Sequence, residues 1–378
     1  MPNFEQPYGF IFSKKKPQGE EVVNLFTGLF VRAARENDNP RRKNYTYKME
    51  VESMNAKTVF VLFFAIVLSL AWTPGWAQNR VLITPLGSHT GEFCRNDRAL
   101  ILEDPNGLRI LYDPGRTVMG SEDNRLGHID VMLLSHVHVD HIGDSAPSTL
   151  NAGTCGAPVA SVSKFPNSNF AEIAAVKGST VPVGGEMVGF LNAKISAAGG
   201  GTSQAQTLRP GGKRTIQGVT FATVAALHSN GVDPRFLEDP EKTELQNNGL
   251  TAFVGQEEGY VIRFSNGLVV YLSGDTGVIS DMKTVVRQYY GAKLAVINIG
   301  DVFSTGPEEA AYAINDLVKP RSVIPSHANE AATENGVVQP GTKTETFINH
   351  VDRRIHAYVP LSGVTMEFNS NGICVGGC

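Results

Sequence analysis

Residues 129–144 read IDVMLLSHVHVDHIGD. The stretch Ile129–Leu134 is a run of strand length, apolar except for Asp130, and reads as a buried strand. It runs straight into Ser135 and then into four metal-ligand residue types within six positions: His136, His138, Asp140 and His141. In an extended segment alternate side chains share a face, so His136 and His138 can reach one ion. Asp140 and His141 follow where the chain is expected to turn into a helix, and can address a second ion. Imidazole and carboxylate together suit zinc or another borderline first-row metal.

Outward from this stretch the same arrangement recurs: an apolar strand that ends on a polar residue. RALILEDPNGLRILYDPG (98–115) is two apolar runs joined by Pro105-Asn106-Gly107, a hairpin signal, and it ends beside Asp113. GVTFATVAAL (218–227) leads into His228. GYVIRFSNGLVVYLSGDTG (259–277) is a second hairpin that turns at Asn266-Gly267 and carries Asp275. LAVINIGD (294–301) and SVIPSH (322–327) are two more strands, the second ending at His327. SDMKTVVRQYY, PEEAAYAINDLV and TKTETFINHVDRR read as amphipathic helices. In the second of them Pro307-Glu308-Glu309 forms a helix opening, with Pro in the first turn and acids at the positive end of the dipole. Two strand-rich halves with helices outside predict an α/β, four-layer αββα sandwich. The Gly-rich link AAGGGTSQAQTLRPGGKR (197–214) is expected to be a mobile loop or hairpin tip, either a plain connection or a flap over the substrate.

The HxHxDH pattern of His136, His138, Asp140 and His141, with His228, Asp275 and His327 following in order and context, resembles the metallo-β-lactamase superfamily over roughly residues 80–367. The resemblance implies a dinuclear hydrolase in which His136, His138 and His228 hold one divalent ion. Asp140, His141 and His327 would hold the second, and Asp275 would bridge both. Zn2+ is the expected metal, with Mn2+ or Fe2+ as alternatives. It also implies that Asp113 supports the histidine loop by hydrogen bonding to the imidazoles, and that Asp140 passes a proton once the scissile bond breaks. The stretch GDVFSTGPEEAAYAINDLVKPRSVIPSHANE (300–330) looks like the branch that contains the L-ascorbate-6-phosphate lactonase, although Asp301 stands where that branch has a small residue. The expected reaction is therefore attack of a metal-activated hydroxide on a small ester, lactone or phosphoester. The alternatives are a class B type β-lactamase and a non-catalytic metal- or ligand-binding module of the same fold.

Composition is that of a globular protein, with 42% hydrophobic and 19% charged residues over 378 positions. Thr58–Trp72 is an apolar run too short for a bilayer span and suited to a signal peptide, with Gly75 and Ala77 at the cleavage positions. Met54–Ala77 is accordingly read as the signal peptide and residues 1–53 as lying outside the mature protein. The rival reading is an uncleaved anchor with a basic arm. The hydrolase domain is then 78–378, exported to the periplasm or secreted and without stable membrane association. Without residues 1–77 the chain carries 23 basic against 30 acidic residues, a net of −7, which argues for a small-molecule substrate and against nucleic acid. Cys94, Cys155, Cys374 and Cys378 all lie in the exported part, where disulfides persist. Four cysteines allow three pairings. The short spacing of the last two invites a Cys374–Cys378 bridge, which leaves Cys94 with Cys155. The remaining histidines, His89, His128, His350 and His356, have no ligand spacing and are expected to be structural or exposed, with His89 the nearest to an exception.

Overall fold

The computed structural model describes residues 79–378, so the readings of a leader and a cleavage site before Gln78 lie outside the described residues. A first sheet takes β1 (Val81–Pro85), β2 (Leu100–Glu103), β3 (Arg109–Tyr112) and β4 (Val131–Leu133). A second takes β5 (Lys213–Ile216), β6 (Val219–Ala225), β7 (Glu258–Arg263), β8 (Val269–Leu272), β9 (Leu294–Asn298), β10 (Ser322–Ser326) and β11 (His356–Ala357). The chain then returns to the first sheet with β12 (Met366–Phe368) and β13 (Cys374–Gly376), giving the orders β13-β12-β1-β2-β3-β4 and β5-β6-β7-β8-β9-β10-β11. Both hairpins read from sequence are present, pairing β2 with β3 and β7 with β8.

Side-chain alternation decides the layers. In β3, Ile110 and Tyr112 point into a core shared with Phe221, Tyr260, Ile262 and Val270 of the second sheet, while Leu111 points to the other face. That other face is covered by helices Asn169–Lys177 and Gly185–Ala197 through Phe170, Ile173, Leu191 and Ile195. The outer face of the second sheet, with Val261, Tyr271, Ala295 and Val323, is covered by Val286, Ile314 and Phe347 from the three helical stretches predicted there. Three apolar interfaces between four layers make the αββα sandwich. Each large side chain fully buried in them contributes about 1.5–3 kcal/mol of transfer free energy.

Three details differ from the sequence reading. Helices Asn169–Lys177 and Gly185–Ala197 are additional; the second contains Gly185 and Gly189, which lower its intrinsic helix preference and hide it. The segments Met282–Tyr290 and Ala313–Val318 are helical as predicted but wound as π-helix. The Gly-rich link is not loop throughout. Within it Ala205–Thr207 forms a strand parallel to Val181–Val183, and the Gln204 amide donates to the carbonyls of Ala174 and Ser179. Gly199 and Gly211, both at positive φ, supply turns on either side of that strand.

Both cysteine pairs are joined, Cys94 in the loop after β1 with Cys155 in the segment after β4, and Cys374 of β13 with Cys378 just beyond it. Among the described residues no helix is long and apolar enough to cross a membrane.

Candidate metal centre

Strand ends build the site. β4 lies parallel to β3 and stops at Leu133, after which the chain bends at Ser135 and passes through His136 and the extended His138 into a single helical turn, Val139–Ile142, that carries Asp140 and His141. The turn is tight because two glycines let backbones touch. A Cβ on Gly115 would stand 2.3 Å from the Asp140 carbonyl oxygen, and one on Gly143 would stand 2.5 Å from the Gly115 carbonyl oxygen. Both glycines also have positive φ, so any other residue there would strain the loop and push Asp140 out of place. The second sheet brings its part from across the sandwich: His228 beyond β6, Asp275 beyond β8 and His327 beyond β10.

The seven predicted residues meet at one place. His136 Nε2 lies 3.0 Å from His138 Nδ1, which lies 3.2 Å from His228 Nε2. Nitrogens at the corners of a tetrahedron around an ion with bonds of about 2.0–2.1 Å would stand roughly 3.3–3.4 Å apart, so the spacing fits one shared cation. His327 Nε2 lies 3.2 Å from Asp140 Oδ2, and His141 Nε2 lies 3.8 Å from the same oxygen. Asp275 Oδ2 stands 3.5 Å from His141 Nε2, 3.3 Å from His327 Nε2 and 4.0 Å from His228 Nε2. Three donor groups capable of holding an ion result: His136, His138 and His228; Asp140, His141 and His327; and His136, His141 and Asp275.

Hydrogen bonds behind the imidazoles aim them. Asp113, fully buried, accepts from the Ser135 backbone N–H at 2.9 Å, the Ser135 hydroxyl at 2.7 Å and His141 Nδ1 at 2.8 Å. With its own proton committed to Asp113, the Ser135 oxygen accepts from His136 Nδ1 at 3.0 Å. Both histidines therefore fix a hydrogen on Nδ1 and turn Nε2 towards the centre, an assignment that follows from the hydrogen-bond network. His141 Nε2 and Asp275 Oδ1 are buried and have no hydrogen-bond partner among the described residues. Buried polar atoms are rarely left so. A cation in the centre supplies the missing partner for His141 Nε2, and the residues present fit a divalent ion.

Electrostatics divides the donors. Burial, and then the neighbouring His141 charge, hold His136 well below the usual histidine range, and burial with the His228 and His141 charges takes His138 down to about 4. Those two are neutral and ready to ligate at neutral pH. Burial alone would lower His141 too, but Asp275, Asp140 and Asp113 around it outweigh that and raise it to about 10. Without an ion, a proton on His141 offsets part of the carboxylate charge, so an ion entering beside it must displace that proton.

Some participants carry no sequence signal. Arg98, whose side chain is 3% exposed, contacts Asp140. Asn230 accepts from the Val137 N–H at 2.9 Å and donates to the Gln256 carbonyl at 3.2 Å, tying the histidine loop to the second sheet. Glu257 accepts from the His228 N–H. The other histidines stay out of the donor groups: His89 reaches Ser88 and the Gly153 carbonyl, His128 pairs with Asp130, His350 bonds the Thr346 carbonyl and His356 stacks on Tyr358.

Residues 108–328, a span that contains all seven donors, match the model of the Beta-lactamase superfamily domain. A UPF0173 metal-dependent hydrolase of Polynucleobacter asymbioticus is 28% identical over 244 residues, 63% of this chain and 73% of the relative. One of Staphylococcus epidermidis is 28% identical over 236 residues, 61% of this chain and 83% of the relative. Among solved structures, the metallo hydrolase Igni18 of Ignicoccus hospitalis superposes with a TM-score of 0.50 at 20% identity, covering 76% of this chain and 99% of that one, a likeness of fold. The fold, the convergent histidines and aspartates and the matched domain agree: the chain belongs to the β-lactamase superfamily and is a metal-dependent hydrolase of the metallo-β-lactamase fold.

Proposed function

We propose that the protein is a dinuclear hydrolase of a small ester, lactone or phosphoester. His136, His138 and His228 hold one divalent ion; Asp140, His141 and His327 hold a second, and Asp275 is shared. The observation that carries this reading is the place of Asp275 Oδ2, within 4.0 Å of a nitrogen from each triad. A single-ion site has no use for a buried carboxylate between two complete donor sets. Zn2+ suits the mixture of imidazole and carboxylate, and Mn2+ or Fe2+ remain candidates for the same donors.

Bound ions in such a centre supply a water nucleophile at neutral pH and polarise the carbonyl or phosphoryl group under attack. The chain's own residues do the rest. Asp113 and Ser135 hold the imidazoles in one tautomer. Asp140, with 27% of its side chain exposed against 5% for Asp275, is the carboxylate that a leaving group can reach, and we assign it the passing of a proton. Arg98 beside it holds the Asp140 carboxyl ionised, well below the usual carboxylate range, so it accepts the proton only in transit.

The test is turnover by the metal-loaded protein of a lactone, a carboxylic ester, a phosphodiester and the β-lactam nitrocefin. We expect hydrolysis of at least one of the first three and little of nitrocefin, since class B type β-lactamases usually lack a carboxylate at the position of Asp275. Turnover confined to nitrocefin would transfer the protein to that class. Two bound ions with no turnover of any of the four would instead support a binding module.

The acidic balance of residues 78–378 fits a small substrate better than a nucleic acid, and we propose export, with the mature chain starting at Gln78 and free of membrane. N-terminal sequencing of protein from the periplasm of a bacterial host checks this. Met1 intact on a protein retained in the cytosol would refute it.

A further inference from the structure

Arg98 sits where no exposed arginine could. The residue directly before it is anchored: the Asp97 carboxylate accepts from the N–H groups of Ser88 and Cys94, both at 2.8 Å, and Cys94 is tied to Cys155. Arg98 Nη1 then donates to the Asp140 carbonyl oxygen at 2.9 Å and to Asp140 Oδ2. That Oδ2 is the atom that faces His327 Nε2 at 3.2 Å and completes the donor set of Asp140, His141 and His327. A fixed, buried cation and an incoming ion therefore share one carboxylate oxygen. Arg98 Nε is buried without a partner among the described residues, so the arginine is held there at a cost and not merely parked.

Such a cation has two opposed effects on an ion at the second donor set. It orients the carboxylate, which favours binding. It also repels the ion and withdraws electron density from the shared oxygen, which opposes binding. Orientation has other sources here: Asp140 stands on a helical turn closed by the His141 and Ile142 N–H bonds to the His138 carbonyl, against the close-approach glycines Gly115 and Gly143. Among the described residues no other arginine or lysine pairs with Asp140, so removing Arg98 takes away the fixed repulsion and leaves those orienting contacts in place.

We propose that Arg98 is a positioning residue that makes the second donor set a weak, electron-poor site, filled after the first and readily emptied. It stands in as cation when no ion is present. The inference rests on the two-ion reading above.

The experiment titrates Zn2+ into metal-free wild type, Arg98→Met, Arg98→Gln and Arg98→Lys against a chromophoric chelator, and records thermal unfolding with and without Zn2+. Gln retains a donor for the Asp140 carbonyl and serves if Met disturbs folding; Lys retains the charge. The second dissociation constant is expected to fall about tenfold or more in the neutral variants, while the first moves by less than about threefold and Lys stays near wild type. The Zn2+-induced rise in unfolding temperature should grow in step with the tighter binding. An arginine that only orients or packs predicts the reverse, a second ion held as weakly as before or more weakly, and that result overturns the proposal. Wild type that takes two ions with unmoved variants removes the role of Arg98 alone, whereas wild type that takes one ion only removes the two-ion reading with it.

Discussion

Replacing Asp275 by alanine lowers the metal content from about two ions per chain towards about one and reduces turnover on the order of 10³-fold, beyond the roughly 10–100-fold that losing a supporting hydrogen bond to a ligand costs. Two divalent charges about 3.5–4 Å apart repel each other by on the order of 15–20 kcal/mol even at an effective dielectric constant near 20. A carboxylate oxygen between them is the nearest compensation, and Asp275 Oδ2 is the atom placed to provide it. Without it the triad of His136, His138 and His228 still offers three buried or half-buried nitrogens to one ion. The other donor set loses its neighbour and yields its ion first. His228→Ala should instead weaken the first ion.

Folding responds less than turnover, which separates this prediction from a general loss of structure. Asp275 is buried with its Oδ2 3.5 Å from His141 Nε2, and it is the main group that holds the His141 charge, so in the metal-free protein alanine leaves that imidazole without its nearest counter-charge. The metal-free variant should unfold below metal-free wild type and still unfold cooperatively. The stabilisation contributed by bound metal should shrink as well. Elemental analysis, calorimetry and turnover on matched samples check all three; a variant that keeps both ions and normal turnover would sink the bridging role.

How far the sequence discloses this site depends on the range of the contacts involved. The histidine loop is legible because its signal is local: an apolar strand, then donor types at alternating spacing, all between Ile129 and Asp144. His228, Asp275 and His327 are legible because each follows an apolar strand, and strands of one sheet bring their ends to one edge; the order of β6, β7, β8, β9 and β10 in the sheet makes that expectation true. Arg98 is different. It reaches Asp140 across 42 residues of sequence, and Asn230 reaches Val137 across 93, through loops whose path no periodicity encodes. The strand within the Gly-rich link escaped the sequence reading for a related reason. Glycine reports permission for unusual φ and says nothing of a neighbouring strand, so Ala205–Thr207 acquires its order from Val181–Val183, which only the folded chain supplies.

Asp113→Asn, a change of one oxygen to an amide nitrogen, is expected to cost the second ion about 10–100-fold in affinity while leaving the fold in place. Asp113 lies behind the donors and touches no predicted ion position; its Oδ1 accepts from the Ser135 N–H, and its Oδ2 from both the Ser135 hydroxyl and His141 Nδ1. An asparagine can keep the first bond with its carbonyl oxygen. Its amide nitrogen then faces two donors where the carboxylate offered an acceptor. The Ser135 hydroxyl can turn, but His141 Nδ1 can relieve the clash only by giving up its hydrogen. The proton moves to Nε2, the atom that faces Asp275 and Asp140, and an imidazole protonated there offers no lone pair to an ion. Asp113 also helps raise His141 to about 10, so its neutralisation lowers that value and eases proton displacement. These two consequences oppose each other. The tautomer dominates at pH 7–8, because the lone pair is absent whether or not the second proton has left. Metal titration of wild type and variant at matched pH, with the imidazole tautomer read by nitrogen NMR, decides the matter. An Asp113→Asn variant with unchanged affinity for the second ion and the His141 proton still on Nδ1 would show that Asp113 does not set the tautomer.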